Sequence, residues 1–323
     1  MRLFENANYD FIKWRWHALV GSALVILAGL GMIAARGGMP RGIDFTGGTI
    51  VVAKFESAVA DDAVRKALDA VPGEKVIQSY GDAADHAMLI RLPELAQEQG
   101  TSLEQGAKAV VQALTAAGLP KFEILQQEIV GPIIGRELQL KGLYATIASI
   151  VGITIYIALR FRPAFAIGAI AATLHDVLVT LAFLVFFGYD LSLNIVAALL
   201  TITGYSVNDT IVIFDRVREN MRSSRRDSLE KVVNTAVNQT LGRTIITAGT
   251  TFLSVLALFL FGGEVLHGFA FTMLVGIISG TYSTVFIAAA IAIILGNKQG
   301  AGATAAVGTG APAKVKAATA RRS

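Results

Sequence analysis

Apolar residues fall in long runs along this chain, and short charged stretches separate them. A helix needs about 20 mostly apolar residues to cross a bilayer core. Six segments have that character: His17–Ala35, Leu143–Leu159, Ala164–Phe187, Leu193–Phe214, Thr244–Phe261 and Phe269–Leu295. Lys13 and Arg15 ahead of the first run would also suit a cleaved leader. The run is long for one, and no clear small-residue cleavage site follows.

Between the first two runs the pattern changes. Residues 36–140 break into short periodic pieces and carry 14 of the 24 acidic and 10 of the 28 basic side chains, which is polar enough to fold in water. Thr49–Phe55 predicts a strand, and Asp61–Val71 an amphipathic helix ended by Pro72 and Gly73. Lys75–Tyr80 predicts a strand, Gly81–Asp85 a turn and His86–Leu92 a strand. Leu103–Ala117 predicts a helix ended by Gly118 and Pro120, and Lys121–Val130 a last strand. The order βαββαβ is that of an α+β ferredoxin-like fold.

Charge orients the spans. Lys and Arg gather in the N-terminal tail 1–16 (Arg2, Lys13, Arg15), after the second run (Arg160, Arg162) and after the fourth (Arg216, Arg218, Arg222, Arg225, Arg226, Lys231). They recur in the tail 296–323 at Lys298, Lys314, Lys316, Arg321 and Arg322. The loops Gly188–Ser192 and Gly262–Gly268 have none. The positive-inside rule makes the basic side cytoplasmic, with both termini there and residues 36–140 outside. The charged, helix-compatible segment 215–242 is expected to lie along the cytoplasmic surface, and the Ala-, Gly- and Thr-rich tail to be disordered.

Composition sharpens this picture. The chain is 54% hydrophobic and 16% charged, against about 25% charged in a soluble domain. It has no cysteine, which excludes disulfides and thiolate metal sites. Its basic residues lack the interleaved aromatics of a nucleic-acid surface. No nucleotide, metal-hydrolase or Ser–His–Asp pattern is present, so neither an enzyme nor a cofactor is expected; His86 and His267 have no partner at ligand spacing.

Candidate chemistry lies inside the membrane, where an ionisable side chain is costly and tends to line a polar path or meet a partner. Asp209 sits about one and a half turns inside the fourth run, and a short carboxylate snorkels poorly. Arg243 stands at the mouth of the fifth run, as a counter-ion or as positive-inside decoration. His175 and Asp176 lie near the middle of the third, as a titrating pair or a structural hydrogen-bonding one. Thr173, Thr180, Thr201, Thr203, Ser206 and Asn208 are candidates to bond between helices. Gly276 and Gly280 would let helices approach closely. Gly47, Gly48, Gly131 and Gly135 flank the soluble domain, as hinges or ordinary turns.

Several of these positions lie in longer motifs. They are Gly42-Ile-Asp-Phe-Thr-Gly-Gly-Thr49, Val130-Gly-Pro-Ile-Ile-Gly-Arg-Glu-Leu138, His175-Asp176, Gly204-Tyr-Ser-Val-Asn-Asp-Thr210, Thr240-Leu-Gly-Arg-Thr244 and Phe261-Gly-Gly-Glu264. In these motifs the chain resembles the SecF family of the bacterial Sec protein-export machinery, in its separate rather than fused form, because only one set of six spans is present. The resemblance implies a polytopic α-helical membrane protein of resistance-nodulation-division type. It also implies pairing with SecD, association with the SecYEG channel and YajC, and use of the proton-motive force to complete preprotein export across the inner membrane. It ties Asp209 and Arg243 to proton transport. A proton-coupled exporter of small molecules or lipids from the same superfamily is the alternative, although it usually needs two six-span halves.

Overall fold

The computed structural model describes residues 4, 7–71, 75–81, 83–92, 101–224 and 226–297. Pro72 and Gly73, expected to end a helix, lie outside the described residues, as does the tail beyond Asn297.

A 3-10 turn (Ile12–Trp14) leads into α1 (Arg15–Ala35), and the one-turn α2 (Ile43–Thr46) opens the soluble domain. There β1 (Gly48–Phe55), α3 (Asp61–Ala67), β2 (Val76–Tyr80), β3 (Ala87–Leu92), α4 (Thr101–Ala116) and β4 (Phe122–Val130) follow in the expected order. The four strands lie β2-β3-β1-β4 with every neighbour antiparallel, the ferredoxin-like arrangement. Alternate residues of β1 (Val51, Ala53, Phe55) share one core with Val64 of α3, Leu68 that caps it, and Val110 and Leu114 of α4. Asp61 and Asp62 in the first turn of α3, with Arg65 and Lys66 in its last, complement the helix dipole.

Five long helices follow among the described residues: α5 (Pro132–Arg160), α6 (Pro163–Phe186), α7 (Leu193–Ser223), α8 (Leu229–Phe261) and α9 (Glu264–Ser283), the last continuing through a π-helical turn (Thr284–Ala288). Proline opens α5 and α6, where its missing N–H is no loss. The hydroxyls of Ser192 and Ser228 accept from the N–H groups of Ile195 and Lys231 and cap α7 and α8. Among the described residues, six helices are long and apolar enough to span a membrane. They are not equivalent: 67% of the α9 span and 56% of the α6 span is buried, against 6% of α5 and of α8. Thus α6 and α9 form the centre, with α7 beside them and α1, α5 and α8 outside.

Most of segment 215–242 is helical, as its helix-compatible sequence allows: α7 runs on to Ser223 and α8 begins at Leu229. Both helices project beyond the apolar runs as one hairpin, because nothing between Asp215 and Ser223 breaks a helix. The N-terminal segment is strapped to this hairpin. The N–H groups of Tyr9 and Phe11 donate to the Asn238 and Asn234 side chains at 2.8 and 3.0 Å, and Arg15 pairs with Glu230 at 2.9 Å.

Candidate functional site

Asp176 is 0% exposed and belongs to the α6–α7–α9 centre. Its Oδ1 accepts from Ser279 Oγ at 2.8 Å and lies 3.0 Å from His175 Nδ1. Its Oδ2 accepts from Ser206 Oγ at 2.5 Å and Ser283 Oγ at 2.7 Å. A carboxylate offers about four acceptor sites; serine hydroxyls fill three, and His175 Nδ1 fills the fourth in the tautomer that carries its proton there. Ser279 and Ser283, one turn apart on α9, reach it because that helix lies close to α7. A Cβ on Gly276 would meet Ile202 Cδ1 at 2.1 Å, and one on Gly280 would meet Ser206 Cβ at 3.1 Å. The close approach expected of these two glycines is therefore present. The π-helical turn begins directly after Ser283, and Thr284 Oγ1 stands 3.1 Å from Thr210 Oγ1 on α7.

His175 is buried too, with its Nε2 unpartnered. Its ring stacks on Tyr282 at 6.0 Å, and the Tyr282 hydroxyl donates to the Ala18 carbonyl of α1 at 2.8 Å. His175 and Asp176 are thus brought together, and they bond to each other.

Asp209 lies on the same helix as Ser206 but points elsewhere. Three residues on is about 60° round the helix, so Ser206 faces α9 while Asp209 faces α8. It is partly buried. Thr244 Oγ1 donates to Oδ1 at 2.9 Å, whereas Oδ2 is enclosed and has no hydrogen-bond partner. Arg243 does not supply it: its side chain is exposed, and no ion pair joins the two among the described residues. Leaving one buried acceptor unsatisfied costs about 1–3 kcal/mol, and more for a charge.

Around Asp209 the outer faces of α7 and α8 are unusually polar for membrane depth. Thr201, Asn208, Arg243, Thr247 and Thr250 are exposed there, and beyond their own helix backbone and chain neighbours nothing lies within 4 Å of where a Cβ would stand on Gly204 or Gly249. The Thr247 and Thr250 hydroxyls fold back on the carbonyls of Arg243 and Ile246, each at 2.9 Å. Of the hydroxyls marked as candidate bridges, Ser206 crosses to another helix, whereas Thr173, Thr180, Thr201 and Thr203 bond within their own. Ser279, Ser283 and the role of Thr244 escaped the sequence reading. The signal for the two serines was their i,i+4 spacing interleaved with Gly276 and Gly280.

The candidate hinges converge at the base of the soluble domain. Gly47 and Gly48 have φ of 74° and 132°, which side-chain-bearing residues rarely adopt. A Cβ on Gly135 would lie 3.1 Å from Gly47 N. Gly131 caps α5 in extended conformation, its carbonyl accepting from Gly135 N at 2.8 Å. The domain is also latched to the loop before α7. Leu191 exchanges 2.8 Å backbone bonds with Pro40 and Gly42, the Leu193 N–H donates to Asp44 Oδ2 at 2.8 Å, and Arg91 pairs with Asp190.

Residues 110–298 match the family model for the C-terminal part of the protein export membrane proteins SecD/SecF, and residues 35–59 match the SecD/SecF GG motif. The chain is 39% identical to the protein translocase subunit SecF of Desulfurispirillum indicum over 88% of this chain and 90% of that one. It is 41% identical to that of Rhodothermus marinus over 91% and 96% of the two chains, and 37% identical to that of Escherichia coli O157:H7 over 90% and 89%. Among solved structures it is similar to SecDF of Thermus thermophilus, described as a translocon-associated membrane protein, with a TM-score of 0.81 and 34% identity. That match covers 92% of this chain and 40% of the longer one. To SecDF in a super-membrane-facing form the identity is again 34%, with a TM-score of 0.68 and coverage of 93% and 40%.

Proposed function

The chain belongs to the SecD/SecF family of protein export membrane proteins, and from that premise we propose that it couples the proton-motive force to late steps of preprotein export. It is a multi-pass membrane protein with a role in protein export by the Sec pathway. The coupling is the proposal, and one observation carries it. Asp209 is an enclosed carboxylate with one oxygen hydrogen-bonded and the other bare, on a face of α7 and α8 too polar to be left to lipid. Such a group has room to take a proton, and its environment changes with whatever covers that face. Arg243, one residue before Thr244, is the movable counter-ion; arginine keeps its own proton and acts by approach and withdrawal. Asp176, with its acceptor sites full, holds α6, α7 and α9 together, and His175 supports it.

The cover for the α7–α8 face is the matching six-span half of a SecD-type partner. The 40% share of the fused SecDF chain that this chain spans supports that reading. SecYEG, YajC and the preprotein complete the proposed assembly in the inner membrane, with both termini cytoplasmic. Cysteines placed singly at Ser79 and Ser224 should react with an impermeant reagent from opposite sides; reaction from one side would overturn that orientation.

The soluble domain is proposed to move about Gly47, Gly48, Gly131 and Gly135 as the cycle proceeds. Equal identity but unequal similarity to the two SecDF forms supports a moving part. A disulfide between cysteines at positions 41 and 191, which bridge in the backbone, should stop export while leaving assembly intact. Full activity of the locked form would refute the movement. The coupling itself is tested in inverted vesicles containing both subunits. An imposed proton gradient should speed completion of export after ATP is exhausted, and an equal rate without the gradient would sink the proposal.

A further inference from the structure

Where α5 ends, α6 begins and α7 projects beyond its apolar run, a cavity of about 550 Å³ opens among four arginines. Arg160 is the last residue of α5, Arg162 caps α6, and Arg218 and Arg222 lie one turn apart on α7. Arg160 is already committed: it bonds Asp215 at 2.6 Å and lies over the Phe161 ring at 5.2 Å. The neighbouring acid Glu219 is taken by Arg216 at 2.6 Å. Arg162, Arg218 and Arg222 are exposed and form no ion pair with any described residue. The floor of the cavity is apolar, with the buried rings of Phe165 and Phe214 packed edge to face at 5.1 Å.

We propose that this cavity is a binding site for an anionic phospholipid, its phosphate held by Arg162, Arg218 and Arg222 and its glycerol and upper acyl region laid against Phe165 and Phe214. Three guanidinium groups around one cavity repel each other until an anion joins them, and their planar forks match phosphate oxygens. A free phosphate ion would use the rim and gain nothing from the floor. A lipid uses both, and the site lies at the ends of membrane-spanning helices, where headgroups reside. Simple positive-inside decoration would explain the charges, but not their convergence from two helices on an aromatic floor.

The test is native mass spectrometry of the full chain in neutral detergent, titrated with phosphatidylglycerol and, in parallel, phosphatidylcholine. One phosphatidylglycerol should be retained in preference to phosphatidylcholine. R162Q/R218Q/R222Q should weaken that retention at least tenfold. R65Q/K66Q/K121Q, which removes the same charge from the soluble domain, should leave it unchanged. Should the triple variant fail to fold, R218Q alone reads the same site, with about a fivefold loss expected. Equal retention of the two lipids, or retention unaffected by the cavity substitutions, would overturn the proposal. So would displacement of phosphatidylglycerol by inorganic phosphate at similar concentration, which would assign the site to a free anion.

Discussion

Asp176 and Asp209 are both intramembrane carboxylates in contact with α7 or carried by it, yet their surroundings are opposite. Around Asp176 three serine hydroxyls and a histidine fill every acceptor position. Around Asp209 a single threonine does the same for one oxygen and leaves the other bare. The first arrangement is a knot: its energy comes from contacts that a change of protonation would undo. The second is a group waiting for something, on a face of the bundle where polar side chains are left uncovered. Cost of burial alone would rank Asp176 first as the functional group. Hydrogen-bond saturation reverses that ranking, and the reversal is what we propose for the proton path.

The contrast can be broken most forcefully at the knot. Asp176→Ala leaves three serine hydroxyls without their acceptor in a closed interior, and should cost about 3 kcal/mol or more of stability. Thermal unfolding in detergent measures it, and a variant as stable as the wild type would mean that the serines hold nothing together. Thr244→Val strips Asp209 of its one donor while keeping the shape of the side chain. Stability should fall by about 1 kcal/mol, and gradient-stimulated export should fall more steeply, with Thr244→Ser restoring both. Equal loss of export in Thr244→Val and Thr244→Ser would assign Thr244 to packing instead. Arg243→Lys is the mildest change. The residue is exposed and unpaired, so stability should stay within about 0.5 kcal/mol, while export stimulation is partly lost because the planar fork is gone. Unimpaired stimulation would reduce Arg243 to positive-inside decoration.

Much of this molecule is legible in its sequence, for physical reasons that differ from region to region. The spans are readable because bilayer thickness dictates the length of an apolar run. The order of strands and helices along the soluble domain follows from periodicity in short segments such as Thr49–Phe55, where one face must be buried. Helix ends were harder: α7 and α8 continue well past Phe214 and before Thr244, because charged residues leave the membrane without leaving the helix. Asp176 and Asp209 were both visible as misplaced charges, but their partners were not. Ser279 and Ser283 lie more than a hundred residues beyond Asp176, and only the approach of α9 to α7 through Gly276 and Gly280 brings them to it. The pairing of Asp209 with Thr244 instead of Arg243 is a matter of which neighbouring residue faces inward, a rotation that sequence spacing on a long helix leaves open.

The most direct measurement is gradient-stimulated completion of preprotein export in inverted vesicles by Asp209→Asn, beside wild type. Asparagine keeps the shape and the bond from Thr244 but carries no titrating proton, and removing a partly buried charge relieves desolvation. The expected variant is folded, bound to its partner subunit and unresponsive to the gradient. Stimulation at the wild-type level would contradict it, making Asp209 structural and moving the proton path to another group.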